Sequence, residues 1–235
     1  EELYTDARTP YERAPHIYVA LPARFMPGRR VVTDEQLRSL DVASAGEHVY
    51  YEDCSDGVFM STRAGTTSYE RTFMESYVRP GPGASNWVSR TNYPLHGFIQ
   101  TGPTELSFYV SRNYAQPDWH IRRYKLRLDG FASVNAPYSG GEFVTKPICF
   151  SGPHLTINYA TGAAGRIRVA LTDVEGRAYP GYGLMDCDEV IGDEIGRVVS
   201  WGGQGDLSQL VGKTCRLRFE MQDADLYAIV FSSNH

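Results

Sequence analysis

The sequence predicts an all-β protein in two parts. Residues 1–138 read as partial propeller-type antiparallel meanders, and residues 139–235 as a jelly-roll-like β-sandwich. Three observations predict this class. Helical periodicity is nearly absent. Short apolar runs are separated by Gly, Pro and Asp turn signals. The 235 residues include 16 Tyr, 23 Gly and 13 Pro, a mixture that suits half-buried pleated surfaces joined by tight turns.

The elements follow in chain order. Residues 16–21 form an apolar run bounded by Pro15 and Pro22 and read as a strand. Thr33 followed three residues later by Gln36 is a capping-box pattern, and Leu37 and Leu40 add a short apolar stripe. Residues 33–40 are therefore expected to hold at most two turns of helix. Residues 47–51 and 58–62 flank Asp53-Cys54-Ser55-Asp56-Gly57, which reads as a hairpin turn. Residues 97–101 and 105–111 flank Gly102-Pro103 as a second hairpin. Residues 120–128 alternate, and Asp129-Gly130 turns the chain into residues 131–135. Residues 79–83 (RPGPG) are the strongest local breaker and read as a loop between repeated sheets. Residues 11–73 and 87–135 each run strand, strand, turn, strand. Sheets repeated at about 40 to 50 residues are the pattern of propeller blades.

The pattern changes near residues 138–141 (YSGG). Strands are then expected at 142–150, 154–160, 166–172, 197–201, 215–221 and 226–231. Thr161-Gly162 and Glu175-Gly176 supply turns between them. Leu217, Phe219 and Met221 alternate with Arg216, Arg218 and Glu220, giving one dry and one wet face. The domain boundary is placed between residues 137 and 142.

Composition excludes several classes. Hydrophobic residues make up 42% and charged residues 22%, which fits a packed core. The net charge is −5 and the basic residues are scattered, so a nucleic-acid binder is not expected. No apolar run reaches the length of a membrane-spanning helix, about 18 residues or more, so no membrane partner is expected. Cys54, Cys149, Cys187 and Cys215 form no CxxC pair, so a zinc site has no support. Cys149 and Cys215 sit in apolar runs and read as small buried hydrophobes, while spacing leaves disulfide pairing open. Phosphate-loop, dinucleotide, HExxH and GxSxG motifs are missing. The chain opens Glu-Glu-Leu-Tyr without Met and is expected to be a fragment or processed product. That start leaves its compartment open, and a secreted or periplasmic location is compatible with it.

Several segments carry a family resemblance: residues 3–7 (LYTDA), 13–17 (RAPHI), 104–107 (TELS), 123–131 (RYKLRLDGF), 140–147 (GGEFVTKP), 192–194 (GDE), 199–201 (VSW) and 223–227 (DADLY). Together they resemble bacterial proteins described as glycosyl hydrolase family 32-like, with a five-bladed propeller core. The resemblance implies the C-terminal part of a larger propeller followed by a sandwich. It also implies that an early-blade carboxylate lies outside this chain. Exposed blade faces would then call for an N-terminal partner fragment or self-association.

Glycoside hydrolysis needs two carboxylates across the scissile bond. The candidates are Glu2, Asp6 and Glu105. Glu2 and Asp6 are four apart, so an extended strand would place them with Tyr4 on one face; the alternative is a frayed terminus with two solvated acids. Glu105 opens a strand after a Gly-Pro turn and would meet sugar or pair with an Arg. Arg13 and His16 flank Ala14-Pro15 and could donate to sugar hydroxyls or position an acid, the alternative being a structural role. Trp87, Arg90, Asn92, Tyr93 and His96 combine aromatic faces, a forked donor and an amide, the mixture a sugar site uses; the alternative is packing and loop anchoring. In the second part, Asp186, Asp188, Glu189, Asp193 and Glu194 could bind calcium or form a solvated acidic loop. Asp223 and Asp225 share a strand face and could bind sugar or metal, or pair with Arg216 and Arg218. The expected function is carbohydrate-directed. It would be glycosidic-bond hydrolysis without an organic cofactor when the propeller is complete, or non-catalytic carbohydrate binding or assembly by the fragment.

Overall fold

A computed structural model describes residues 2–40, 51–88 and 90–233. The protein is all-β and antiparallel, and it divides into two compact units, Glu1–Leu126 and Arg127–His235. The division falls before the boundary expected near residues 137–142. The physical reason is pairing. Residues 134–136 join the last long strand of the second unit instead of continuing the meander before them.

The first unit holds three small sheets. β1 (Glu2–Leu3), β4 (Ala23–Met26) and β5 (Cys54–Gly57) form one. β2 (Arg8–Tyr11), β3 (Ala14–Ala20) and β6 (Met60–Arg63) form another. The third has β10 (His120–Arg127) beside β9 (Glu105–Arg112), with β7 (Tyr93–Pro94) and β8 (Ile99–Gly102) sharing the other edge of β9. Leu106, Phe108 and Val110 of β9 face inward, and Phe108 meets Tyr77, Phe98 and Tyr124 at ring-centroid distances of 6.3, 5.9 and 5.4 Å. The hairpin over Gly102-Pro103 forms as expected.

The expected helix is α1 (Asp34–Leu40). Its capping box is complete: the Gln36 amide donates to Thr33 Oγ1 at 3.2 Å, and Thr33 N donates to Gln36 Oε1 at 2.9 Å. The expected hairpin turn at residues 53–57 is instead strand β5, paired with β4. Gly57 serves close approach, not a turn; a Cβ there would lie 2.7 Å from the Pro94 ring. Residues 47–50 of that expected hairpin lie outside the described residues.

The second unit is built on two 19-residue strands, β14 (His154–Thr172) and β16 (Thr214–Ser232), paired antiparallel. β11 (Val134–Ala136), β12 (Gly141–Val144) and β13 (Ile148–Cys149) tile the free edge of β16 in sequence. β15 (Asp193–Val198) pairs with β14. The four strands expected at 154–160, 166–172, 215–221 and 226–231 are therefore two. The expected turn at Thr161-Gly162 is a bulge, with residues 162–165 set opposite Asp223. Asp223 takes a left-handed φ of +43°, and Gly165 clears its carbonyl only because it lacks a Cβ, which would lie 2.2 Å from that oxygen.

The bulge shifts which residues of β16 point inward. Before it Cys215, Leu217, Phe219 and Met221 are buried, and after it Ala224 and Leu226. All six join Leu155, Ile157, Tyr159, Ile167, Val169 and Leu171 of β14 in one core, with Val199, Trp201 and Leu207 packed in from the connecting segment. Phe143 stacks on Phe219 at 4.8 Å. Cys215 is buried as expected, but Cys149 is exposed, because Phe150 takes the inward position beside it. All four cysteines are free thiols.

Candidate functional site

Three segments of the first unit meet at Tyr4. Its amide donates to the Ala23 carbonyl at 2.8 Å, and the Ala23 amide donates to Thr5 Oγ1 at 2.9 Å. This pair of bonds holds residues 4 and 5 against the start of β4. The chain then lines an open cleft of about 300 Å³, whose walls include Tyr4, Thr5, Asp6, Arg8, Met60 and Tyr69.

Arg8 organises the cleft's polar wall. Its Nη1 donates to Tyr69 Oη at 2.7 Å, and its Nη2 lies 3.5 Å from Asp6 Oδ2. The Tyr69 bond first, and then the Asp6 charge, raise the Arg8 pKa above the ordinary guanidinium value. The Arg8 carbonyl contacts His96 Nε2 at 2.9 Å, which ties the far end of residues 87–96 to the same strand.

The other side of Tyr4 is aromatic and cationic. Its ring centroid lies 5.6 Å from Tyr93 and 6.0 Å from Phe25, and the Arg90 guanidinium carbon sits 5.7 Å from it. Arg90 and Asn92 both have left-handed φ, +37° and +72°. A buried polar network holds this unusual backbone. Asn92 Nδ2 donates to the Ser55 and Asn86 carbonyls at 3.0 Å each, and its Oδ1 accepts from Arg112 Nη1. Arg112 Nη2 donates to the Pro80 carbonyl at 2.7 Å and to Asn86 Oδ1. Arg112 is 4% exposed, and these neutral oxygens receive its charge; burial lowers its pKa. The Tyr93 hydroxyl is buried with no hydrogen-bond partner among the described residues, and desolvation pushes its pKa up to about 12.

The residues expected to carry function are thus divided. Asp6, Arg90 and Tyr93 gather at Tyr4, and His96 reaches Arg8. Trp87 and Asn92 are braces: Trp87 Nε1 donates to the Gly81 carbonyl at 2.9 Å. Glu2 is exposed on β1, opposite Phe25. Glu105 is engaged elsewhere, with Oε2 2.6 Å from Lys125 Nζ and Oε1 accepting from Thr101 Oγ1 at 2.7 Å. The Lys125 hydrogen bond leads in holding its carboxyl below the usual carboxylate range. Arg13 lines a separate pocket of about 170 Å³ with Phe98, Gln100 and Leu106. His16 is exposed on β3.

Sequence reasoning missed Arg8, Tyr69 and Arg112. Arg8 had a local signal, its place two residues from Asp6. Tyr69 is 61 residues away from Arg8 in sequence and had none.

The acidic residues of the second unit point to separate partners. Asp186 accepts from the Gly183 amide, and Asp188 from Ser200 Oγ and the Gly203 amide. Glu189 pairs with Arg168, Asp193 with Arg127, and Glu194 accepts from Tyr159 Oη. Asp225 accepts from Ser133 Oγ and Asn135 Nδ2. Among the described residues, no three His, Cys, Asp or Glu side chains gather as a metal site, and no helix is long and apolar enough to cross a membrane.

The cleft thus offers one half-exposed ring, one forked cation, one carboxylate and one phenol. Such a set can bind vicinal hydroxyls beside an apolar face. Of the three candidate carboxylates, Asp6 alone lines it. In comparisons with known proteins, the chain matches no family model, no curated protein and no solved structure.

Proposed function

We propose that the Tyr4 cleft binds a carbohydrate. The observation that carries this reading is the ring of Tyr4, 52% exposed, set beside the Arg8–Asp6 pair in one open cleft. An aromatic face suits the C–H face of a pyranose or furanose, and the ion pair supplies donors and an acceptor for neighbouring hydroxyls. The resemblance to glycosidase-like propeller proteins supports the same substrate class. Affinity electrophoresis through gels containing soluble glucan, xylan, mannan or levan tests it. Retardation in at least one gel is expected, lost in Tyr4→Ala and weakened in Arg8→Ala. Equal mobility of wild type and Tyr4→Ala in every gel would reject the reading.

Hydrolysis is the second reading, favoured by the presence of Asp6 in the cleft. It requires a second carboxylate besides Asp6, because among the described candidates Glu2 and Glu105 do not line the cleft and Glu105 is held by Lys125. Release of reducing ends from the retarding polysaccharide, abolished in Asp6→Asn, is the outcome it predicts. Binding without release leaves the carbohydrate-binding reading alone.

A further inference from the structure

An exposed tryptophan immediately precedes β10. Trp119 is 53% exposed, against the usual burial of this residue type. Its ring is held in place: Nε1 donates to Ser111 Oγ at 3.0 Å, and its amide donates to the Gln116 carbonyl at 3.0 Å. The loop beneath is braced in turn, with Gln116 Nε2 donating to the Ser85 carbonyl at 2.8 Å and the Tyr114 amide to Thr91 Oγ1 at 3.0 Å. A large apolar ring locked in an exposed position is preorganised for stacking.

Register connects this ring to the cleft. Tyr93 lies directly opposite Ser111, so both side chains leave the same face of the sheet. Trp119 flanks Ser111 on the other side. β10, which Trp119 precedes, and β7, which carries Tyr93, flank β9 two strand spacings of roughly 4.8 Å apart, and Tyr93 in turn packs on Tyr4 at 5.6 Å. Lys125 contacts Glu105 while Trp119 contacts Ser111. Ile121 of β10 is likewise exposed, at 50%. Neighbouring contacts thus lead from the Tyr4 ring through Tyr93 and Ser111 to Trp119.

From this continuity we infer that the cleft and the Trp119 face form one track for a linear saccharide chain, with Trp119 stacking a sugar several units from the one held at Tyr4. The inference rests on the carbohydrate reading of the Tyr4 cleft and adds a polymeric ligand to it. Two exposed rings, Tyr4 and Trp119, with the Ser111 hydroxyl beside the second, suit a chain whose successive units offer C–H faces and edge hydroxyls.

The test is isothermal titration of wild type, Trp119→Ala, Trp119→Phe and Tyr4→Ala with disaccharides and hexasaccharides cut from the polysaccharide that retards the protein. Trp119→Ala is expected to weaken hexasaccharide binding about tenfold, the size of one lost stacking contact, and to leave disaccharide binding unchanged. Trp119→Phe keeps a ring and restores most of the loss. Tyr4→Ala loses both ligands. If Trp119→Ala binds the hexasaccharide as wild type does while Tyr4→Ala does not, the track is overturned and the cleft reading stands. If Tyr4→Ala binds both ligands normally, or wild type binds neither, the cleft reading fails and the track with it. Sedimentation of the same samples covers the remaining occupant: a wild-type dimer lost in Trp119→Ala would assign the face to a second copy and overturn the track.

Discussion

The two units solve the burial problem in opposite ways. The second buries one large apolar core under two long strands, and its interior is specified by alternation along β14 and β16. The first has three small sheets, and much of its interior is polar. Among the described residues, eight of the ten buried polar or charged side chains lie in the first unit; the Arg112 network is its clearest case. Apolar packing is non-directional and tolerant of repacking, whereas a buried hydrogen-bond network holds each partner at one distance and angle. In the first unit that network braces the left-handed backbone at Asn92, two residues from the Arg90 that lies over Tyr4. The difference teaches that the core-rich half has the larger apolar interior and the network-rich half holds the candidate site.

The largest effect that could break this contrast is expected in the second unit. Phe219→Ala removes a fully buried ring stacked on Phe143 and should cost about 3–5 kcal/mol. Denaturant unfolding followed at Trp201 should shift, while saccharide binding by any folded protein should not; loss of binding at low denaturant would show the contrast to be wrong. Next, Arg112→Met strands the Asn86 and Asn92 amide oxygens and the Pro80 carbonyl. A cost of about 3 kcal/mol is expected for the first unit, with loss of binding. Lysine should not rescue it, because a point charge cannot make the forked set of bonds. A fully active, fully stable Arg112→Met protein would remove the network from the account.

Tyr93→Phe has the opposite sign. It deletes a buried hydroxyl that has no partner among the described residues, so unfolding free energy should rise by about 1 kcal/mol. A fall of similar size would reveal a partner for that hydroxyl. The smallest effect belongs to Glu105, an exposed pair with Lys125. Its folded pKa is depressed, so its contribution is present above the unfolded carboxylate value and disappears as pH falls through the folded value. Wild type should lose a small increment of stability over that acidic window and Glu105→Gln should not. Parallel stability curves for the two proteins would remove the Lys125 pair as a contributor.

Legibility in the sequence followed the same division. Alternation at Leu217, Phe219 and Met221 announced the buried face of β16, and the Thr33–Gln36 box announced α1, because both signals are local. The joining of 154–160 with 166–172 was hidden, since Thr161-Gly162 looks like a turn until Asp223 is placed opposite it. Asp53 to Gly57 misled for a related reason: the glycine answers to Pro94, distant in sequence. At the site, Asp6, Arg90 and Tyr93 were legible as residue types suited to sugar. The convergence of Arg90 and Tyr93 on Tyr4 was not, because it depends on Arg112 reaching back to residues 80, 86 and 92.

The pairing of β14 with β16 also bears on how the protein is made. His154 lies opposite Ser232, and Thr172 opposite Arg216, so no rung of that ladder can close until the later strand has been synthesised. The first unit has its whole sequence in hand long before then. On a ribosome it can collapse while β14 is still waiting, its row of valine, leucine and isoleucine without a partner. Nascent chains arrested before residue 214 should therefore expose β14 to chaperones and aggregation, although the whole sequence of the first unit has already emerged.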